Sequence, residues 1–233
     1  MSKMCFLNIR HGSSILKFKK IIKKIIKINP DLISFSEFRK NKIGLLINQN
    51  LLEKGYKYST FNRIDQDGNH VIIYSKVKFN LLENEIDLPK KRIVKIAYKS
   101  YIFIFVHIPG IKNIKYSKKI IWDSLYNFLL KTKKKVVMVG DFNTGLNEDT
   151  EGLLFKYNTK LKNLLNTKFY DLWKEYNTRM EYTWYSVIGN GFRVDQVITQ
   201  KENKTDFLNC YYDHSIRSDR LSDHSMVIIE MKN

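Results

Sequence analysis

The stretch VVMVGDFNTG, residues 136–145, joins an unbroken apolar run to an acid, an aromatic residue, an amide and two turn-forming residues. A run without alternating polar positions is typical of a β-strand that is buried on both faces. Asp141 and Asn143 follow the run at once, and side chains two positions apart along a strand point the same way. The stretch therefore predicts a central strand that presents an acid and an amide at one sheet edge.

Strand patterns recur along the chain and outnumber helical patterns. The predicted strands cover residues 3–10, 31–37, 56–61, 69–75, 91–98, 101–107, 136–140, 181–186, 192–199, 207–212 and 225–231. Helices are expected at 14–28, 42–53 and 116–131, with helical turns over 160–176. Lys99-Ser100 predicts the turn of a hairpin between two of the strands. We expect the α/β (or α+β) class, as a four-layer α-β-β-α sandwich of two packed, mainly antiparallel sheets flanked by helices.

Composition limits the class of protein. Hydrophobic residues make up 43% of the 233 residues and aromatic residues 13%, which excludes a disordered chain. No repeat and no Ser/Gly linker divides the chain, so residues 1–233 are expected to form a single domain. No apolar stretch predicts a membrane span or a signal peptide, and Cys5 and Cys210 are expected to be free thiols. We therefore expect a cytoplasmic protein without stable membrane insertion.

The net charge of +18, from 41 Lys and Arg against 23 Asp and Glu, favours a polyanionic partner. Nucleic acid is the first candidate and an anionic membrane surface the second. Eight basic residues precede the first acid, Asp31. The chain is also rich in Lys, Ile and Asn, whose codons contain much A and T, so genome composition is an alternative source of the charge.

Polar side chains stand at the ends of six predicted strands. They are Asn8, Arg10, Glu37, Arg39, His107, Asp141, Asn143, Asp195, Asp223 and His224. Taken singly, each has an ordinary structural explanation, because an acid after a strand is usually a turn former or a helix cap. A lone histidine is more often a structural side chain than a catalyst. As a series, these residues are hard to obtain from packing alone.

The series resembles that of the endonuclease/exonuclease/phosphatase superfamily, which includes deoxyribonuclease I, exonuclease III, neutral sphingomyelinases and inositol polyphosphate phosphatases. The segments GDFN and SDH are its most specific features, and PDLISFSE and RVDQV support them. The resemblance extends from Asn8 to His224. It implies two packed sheets flanked by helices, with a site for phosphoester hydrolysis at one end of the sandwich.

A divalent metal site is implied by the same resemblance. Glu37 is the expected ligand, and Asn8 and Asp223 are the further candidates. Mg²⁺ is the expected ion and Mn²⁺ the alternative. Mg²⁺ is usually held by one or two carboxylates while it keeps several waters.

The resemblance also implies the catalytic roles. Asp141 orients or deprotonates the attacking water, and Asn143 donates a hydrogen bond to a phosphate oxygen, since a carboxylate can accept a proton and an amide cannot. His224 stabilises the charge of the scissile phosphate or passes a proton, and Asp195 holds its imidazole in the required tautomer. An Asx-turn that closes the strand is the alternative for one member of the Asp141–Asn143 pair.

The segment VHIPG places His107 where deoxyribonuclease I and sphingomyelinases carry a histidine, as a second general acid or a phosphate contact. The glutamate that accompanies this histidine in deoxyribonuclease I has no clear counterpart, because NHVIIYSK offers only Asn69 and His70. Arg10 and Arg39 match arginines that touch the DNA backbone in deoxyribonuclease I. Surface ion pairs are the alternative for both arginines.

Three functions remain open at the level of sequence. The leading hypothesis is a Mg²⁺-dependent nuclease that hydrolyses DNA, or RNA as the second choice, with little sequence preference. The alternative is a phosphatase or sphingomyelinase-like phosphodiesterase acting on a small or lipid phosphoester. A catalytically inactive nucleic-acid-binding module is the third. The sequence makes no prediction about oligomeric state.

Overall fold

A computed structural model describes residues 1–12, 14–83, 91–110 and 117–233. The described residues form fourteen strands and six α-helices. The strands are β1 (Ser2–Asn8), β2 (Leu32–Phe38), β3 (Tyr58–Ser59), β4 (His70–Ser75), β5 (Asn80–Leu82), β6 (Ile93–Tyr98), β7 (Tyr101–His107), β8 (Val136–Asp141), β9 (Phe169–Asp171), β10 (Trp184–Tyr185), β11 (Gly191–Phe192), β12 (Asp195–Gln200), β13 (Phe207–Asp213) and β14 (Met226–Met231). The helices are α1 (Ile15–Ile28), α2 (Lys42–Glu53), α3 (Lys118–Lys131), α4 (Asn158–Asn166), α5 (Leu172–Tyr176) and α6 (Ser215–Ser218).

The strands build two six-stranded sheets and one two-stranded ribbon. The first sheet has the order β13-β14-β1-β2-β4-β3 and the second the order β5-β6-β7-β8-β12-β9. Each sheet contains one parallel pair, β1 with β2 and β7 with β8, and its other pairs are antiparallel. The expected class of two mainly antiparallel sheets is confirmed. The parallel pairs lie at the two sheet centres, where their C-terminal ends can meet.

Three layers of apolar side chains hold the sheets and helices together. In β8, Val137 and Val139 face the core between the two sheets, whereas Val136 and Met138 face the helices α3 and α4. Both faces of the strand are therefore buried, which explains the unbroken apolar run. Helices α1 and α2 cover the outer face of the first sheet in the same way. The four-layer α-β-β-α arrangement is confirmed.

Helix α1 is a covering helix with a solvated lysine face. Ser14 caps its first turn by accepting a hydrogen bond from the Lys17 backbone N–H at 3.3 Å. Ile21 and Ile25 are buried against the first sheet. The helix ends at Ile28 and is capped by Asn29, which has a φ of 55° and donates its N–H to the Ile25 carbonyl. Within the described ranges, no helix combines the length and apolarity needed to cross a membrane.

Short strands are the elements that differ most from the sequence predictions. The region 160–176, expected as helical turns, contains strand β9, because it pairs with β12 at the edge of the second sheet. The predicted strands 56–61 and 181–186 shrink to β3 and β10, of two residues each. β5 was not predicted at all. The helix expected at 116–131 is observed as α3, and residue 116 lies outside the described residues.

Gly140 allows β7 and β8 to approach each other. Its φ is +151°, and an added Cβ would lie 2.0 Å from the Val106 carbonyl oxygen. The Gly140→Ala substitution should lower the free energy of unfolding by about 3 kcal/mol, measured by urea denaturation. Gly189→Ala is the control, because Gly189 also has a positive φ but no atom within 4 Å of the added Cβ. Equal losses in both variants would contradict a role for the close approach.

Candidate active site

The polar strand ends converge at one end of the sandwich, where Asn8 joins the two sheets. The Asn8 Nδ2 atom lies 3.2 Å from Glu37 Oε1 and 3.2 Å from Asp141 Oδ2. His107 Nε2 lies 3.6 Å from Glu37 Oε1 and 3.7 Å from Asp141 Oδ2. The ends of β1, β2, β7 and β8 therefore surround one common space.

His224 and Asp195 form a buried pair beside this space. His224 Nδ1 lies 2.8 Å from Asp195 Oδ2. Asp195 is directly opposite Asp141 in the β12–β8 pairing, and ligand-type atoms of Asp141, Asp195 and His224 all lie within 4.8 Å of one another. The Thr183 hydroxyl accepts a hydrogen bond from the Asp195 N–H at 3.1 Å and fixes the start of β12. The pair leaves the Nε2 atom of His224 without a bond to Asp195.

The pKa values of His224 and Asp141 are both raised. Burial alone would lower the pKa of His224, but the Asp195 carboxylate, helped by Asp141 and Asp223, outweighs it and raises the pKa to about 10. His224 is therefore an imidazolium at neutral pH. Burial, together with the Asp195 charge, raises the pKa of Asp141 even though His224 opposes this. Asp141 is thus a stronger base than an exposed aspartate once it is ionised.

The end of β8 differs from the strand geometry that the sequence predicted. Asn143 has a φ of 46°, so the alternation of side chains along the strand stops at Asp141. Phe142 itself is fully buried beyond the strand end, in the same apolar layer as Met138. The Asn143 N–H donates to Asp141 Oδ1 at 2.9 Å, which is an Asx-turn, and its Nδ2 donates to the Ile108 carbonyl at 2.8 Å. The turn brings Asn143 next to Asp141, and among the described residues one hydrogen of its amide has no acceptor.

His107 has an arginine, not an acid, beside its Nδ1 atom. Arg92 Nη1 lies 3.2 Å from His107 Nδ1, and a guanidinium can only donate, so Nδ1 accepts and the ring proton is on Nε2. Burial, reinforced by the Arg92 charge, lowers the pKa of His107 to about 3. His107 is therefore a neutral hydrogen-bond donor towards Glu37 and Asp141. This geometry favours a phosphate contact over a general acid.

The carboxylates at this end of the sandwich offer oxygen ligands for a hard divalent cation. One oxygen of Asp223 and one oxygen of Asp195 are buried and accept no hydrogen bond from the described residues. His11 Nδ1 lies 3.4 Å from Glu37 Oε2. Unsatisfied buried carboxylate oxygens are the ligands that Mg²⁺ and Mn²⁺ prefer. Asp223 and Asp195 thus each have an oxygen of the kind a metal needs, and Asp141, Asp195 and His224 bring ligand atoms within 4.8 Å of one another, whereas Asn8 donates its amide hydrogens to Glu37 and Asp141 and is better placed to position these carboxylates.

Strained backbone is concentrated at this end of the molecule. Glu37, Arg10, His11 and Asn143 have φ values of 54°, 43°, 64° and 46°. They are four of the eight non-glycine residues with positive φ among the described residues. Such conformations cost about 1–3 kcal/mol each and persist mainly where the surrounding structure enforces them. A bulge in the pairing of β2 with β4 accompanies the strain at Glu37.

The two candidate phosphate-binding arginines lie at the rim. Arg10 is exposed, and its Nε atom is 3.8 Å from Asp223 Oδ2. Arg39 is exposed and donates from Nε to Asn69 Oδ1 at 2.7 Å. Arg10 thus adjoins the carboxylate cluster, whereas Arg39 stands beside β4 and outside the set of mutually contacting site residues.

Three residues of the site were not among the sequence candidates: His11, Arg92 and Lys118. Lys118 belongs to the first turn of α3, and its ammonium donates to the Asn143 carbonyl. Burial lowers the pKa of Lys118 to about 8, although the Asp141 charge opposes the shift. The carboxylates are therefore surrounded by cations on several sides.

Comparison with known proteins identifies the fold. No protein-family model matches the chain, and no curated protein matches its sequence. Among solved structures, an AP endonuclease from Archaeoglobus fulgidus is 18% identical with a TM-score of 0.79, each chain being covered over 100% of its length. The 3' phosphatase NExo from Neisseria, bound to a product DNA hairpin, is 15% identical with a TM-score of 0.78, again over 100% of both chains.

A 3'-5' exonuclease, NExo from Neisseria meningitidis, is 16% identical with a TM-score of 0.74 and covers 99% of this chain and 100% of its own. The chain has the fold of these AP endonuclease and NExo structures. The fold that the strand-end residues implied is thereby confirmed. Because these identities are all low, the likeness establishes the fold alone.

Proposed function

We propose that the chain is a metal-dependent phosphodiesterase that hydrolyses nucleic acid, with DNA preferred over RNA and little dependence on base sequence. The observation that carries the proposal is the convergence of Glu37, Asp141 and the Asp195–His224 pair at one end of the sandwich. A net charge of +18 supports a polyanionic substrate, because phosphate contacts supply most non-specific affinity. The DNA hairpin bound to the Neisseria 3' phosphatase supports DNA.

In this proposal Asp141 accepts the proton of the attacking water, and its raised pKa suits it to act as a base near neutral pH. The second amide hydrogen of Asn143, which does not bond to Ile108, donates to a phosphate oxygen. The His224 imidazolium stabilises the charge that develops on the phosphoryl group, and Asp195 fixes its orientation. A divalent cation, Mg²⁺ or Mn²⁺, held by Glu37 and Asp223, would neutralise phosphate charge.

The supporting residues act through these groups. Asn8 donates to both Glu37 and Asp141 and so fixes the spacing between the proposed metal ligand and the proposed base. His107, neutral and protonated on Nε2, donates a hydrogen bond towards the phosphate. Arg10 extends the contact to the backbone of the substrate, since its planar guanidinium matches phosphate oxygens. We also propose a reducing, cytoplasmic location, which the free and buried Cys5 and Cys210 support.

A second candidate is removal of a terminal 3' phosphate from DNA, which the likeness to the Neisseria 3' phosphatase favours. The same groups would serve it, since the water attacks a phosphorus in both reactions. The two activities differ in product. Release of inorganic phosphate from 3'-phosphorylated DNA, with the strand otherwise intact, would support this candidate.

The proposal is tested with supercoiled plasmid, linear duplex, single-stranded DNA and RNA, each with Mg²⁺, Mn²⁺ or a chelator. We expect cleavage with either metal, none with chelator, and a steep fall in rate with added salt. The combined variant Asp141→Asn and His224→Gln, purified identically, should be inactive and so exclude a contaminating nuclease. Hydrolysis of small phosphoesters with intact polynucleotides would overturn the nuclease proposal. Binding without any hydrolysis would indicate the inactive module instead.

A further inference from the structure

A second concave surface adjoins the candidate site on the side of Asp223. It has a volume of about 480 Å³, and its basic lining residues are Arg10, Lys17, Arg217 and Arg220. Tyr185 contributes an aromatic ring, and Asp223 is the only acid among the described lining residues. We call this surface the Arg217 cleft. It shares Asp223 and Arg10 with the candidate site, so the two are continuous.

The Arg217 side chain is held in one orientation, and no carboxylate of the described residues pairs with its charge. Its guanidinium carbon lies 4.3 Å from the centre of the Tyr185 ring, and its Nε donates to Ser225 Oγ at 3.3 Å. Ser225 also lies 2.7 Å from His214 Nδ1, and His214 Nε2 lies 2.7 Å from Glu181. Among the described residues, no carboxylate lies within 4 Å of the Arg217 guanidinium. Arg217 is therefore fixed in place while its charge remains available to a ligand.

Arg220 is a second arginine of the cleft, next to Arg217. Its φ is 55°, and its N–H donates to the Arg217 carbonyl at 2.9 Å, which holds the two arginines in one tight turn. Among the described residues it, too, has no carboxylate within ion-pair distance. Positive φ at a non-glycine residue is unfavourable and persists where the fold requires it. The oriented guanidinium of Arg217 and the exposed one of Arg220, neither paired with a carboxylate of the described residues, lie next to the candidate site and point to a second phosphate.

We propose that the Arg217 cleft binds the phosphate group that flanks the scissile phosphate on one side of a nucleic-acid strand. The proposal rests on the proposed function and deepens it by defining the substrate as a strand with at least one phosphate beyond the reacting one. Guanidinium groups bind phosphate oxygens bidentately, and the Arg217–Tyr185 stack offers a flat surface to the adjoining base. A small phosphoester would occupy only the candidate site and would gain nothing from the cleft.

Dinucleotides test this directly, because TpT has one phosphodiester and pTpT and TpTp each add one terminal phosphate. For the unmodified protein, one of the two phosphorylated dinucleotides should have a KM about tenfold lower than TpT, since hydrogen bonds between charged groups contribute that much or more. The variant Arg217→Ala with Arg220→Ala should lose this gain, so that its KM for the phosphorylated dinucleotide approaches its own KM for TpT. The matched control is Lys19→Ala with Lys23→Ala, which removes two exposed charges of α1 outside the cleft and should keep the gain.

The proposal would be overturned if the arginine variant kept the lower KM for the phosphorylated dinucleotide. It would also be overturned if neither terminal phosphate lowered the KM of the unmodified protein. If the alanine variant does not fold, Arg217→Lys with Arg220→Lys keeps the charges but loses bidentate binding, and should lose most of the gain.

Binding of a fluorescent single-stranded oligonucleotide in chelator gives a readout that needs no hydrolysis. There the arginine variant should show weaker binding and a smaller salt dependence than the lysine control of α1. Failure of the unmodified protein to hydrolyse any dinucleotide would count against the proposed function, whereas the binding comparison still decides about the cleft.

Discussion

Substituting Asp141 with asparagine should lower kcat for nucleic-acid hydrolysis about a thousandfold, because an amide cannot accept the proton of the attacking water. Substrate affinity should change little, since the Asn143 N–H can still donate to the remaining oxygen at this position. Single-turnover rates and oligonucleotide binding separate the two effects. Asp123→Asn is the control, because Asp123 pairs with Lys119 and Lys160 on the surface of α3, and kcat should not change. A variant of Asp141 with an unchanged kcat would remove this residue from the mechanism.

The same substitution should alter the dependence of stability on pH. The pKa of Asp141 is raised in the folded state, so its contribution to stability is complete below its ordinary pKa and is lost as pH rises through the folded value. The asparagine variant lacks this loss. Its free energy of unfolding, measured in chelator, should therefore increase relative to the unmodified protein between pH 5 and pH 8. A constant difference across that range would indicate that Asp141 is not perturbed.

Elements whose pattern is local could be predicted from the sequence. α2 was expected at 42–53 and is observed at Lys42–Glu53, and the β6–β7 hairpin turns at Lys99-Ser100 as predicted. Both depend on the spacing of apolar residues and on turn chemistry within a short segment. β9 could not be found in this way, because its strand conformation depends on pairing with β12, which comes later in the chain.

The residues that meet at the candidate site show a second limit of prediction from sequence. Asn8 and Asp141 are 133 positions apart, and no local pattern places them in contact. The resemblance to a superfamily supplied that expectation, on the basis of residue types in a fixed order. His11 and Lys118 gave no signal, since in a chain with 41 Lys and Arg one more basic residue does not stand out. Their roles depend on where the backbone turns.

Arg92 is different, because the predicted hairpin contained the information needed to find it. Counting back from the turn, Tyr98 faces Tyr101 and Ile93 faces Val106. The next step places Arg92 beside His107, whose N–H donates to the Arg92 carbonyl at 2.8 Å. The side chain beside His107 Nδ1 therefore comes from the residue that precedes β6, and not from the segment NHVIIYSK. The partner of this histidine is a cation, and that reverses the expected effect on its protonation.

Substituting Asp195 with asparagine should have the largest effect on the histidine chemistry, lowering kcat by about three to four orders of magnitude. Asp195 is the main group that raises the pKa of His224 to about 10, by its charge and by its hydrogen bond. Without that charge, burial dominates and the pKa of His224 should fall towards or below its ordinary value. The pH–rate profile should then lose its alkaline limb near pH 10, and activity should decline at a lower pH. The imidazole resonances of His224, followed by NMR, give the same titration without catalysis.

The pH dependence of the free energy of unfolding is a second measure of the Asp195–His224 pair, and the direction of its change can be predicted. The raised pKa of His224 means that the pair stabilises the fold fully below the ordinary histidine pKa, and that this contribution is lost as pH rises towards 10. The Asp195→Asn variant should show little of this alkaline loss. Glu181→Gln is the matched control, because Glu181 lies 2.7 Å from His214 but outside the candidate site. If both variants keep the alkaline limb, His224 does not depend on Asp195 for its charge, and the orientation of the imidazole must come from elsewhere in the fold.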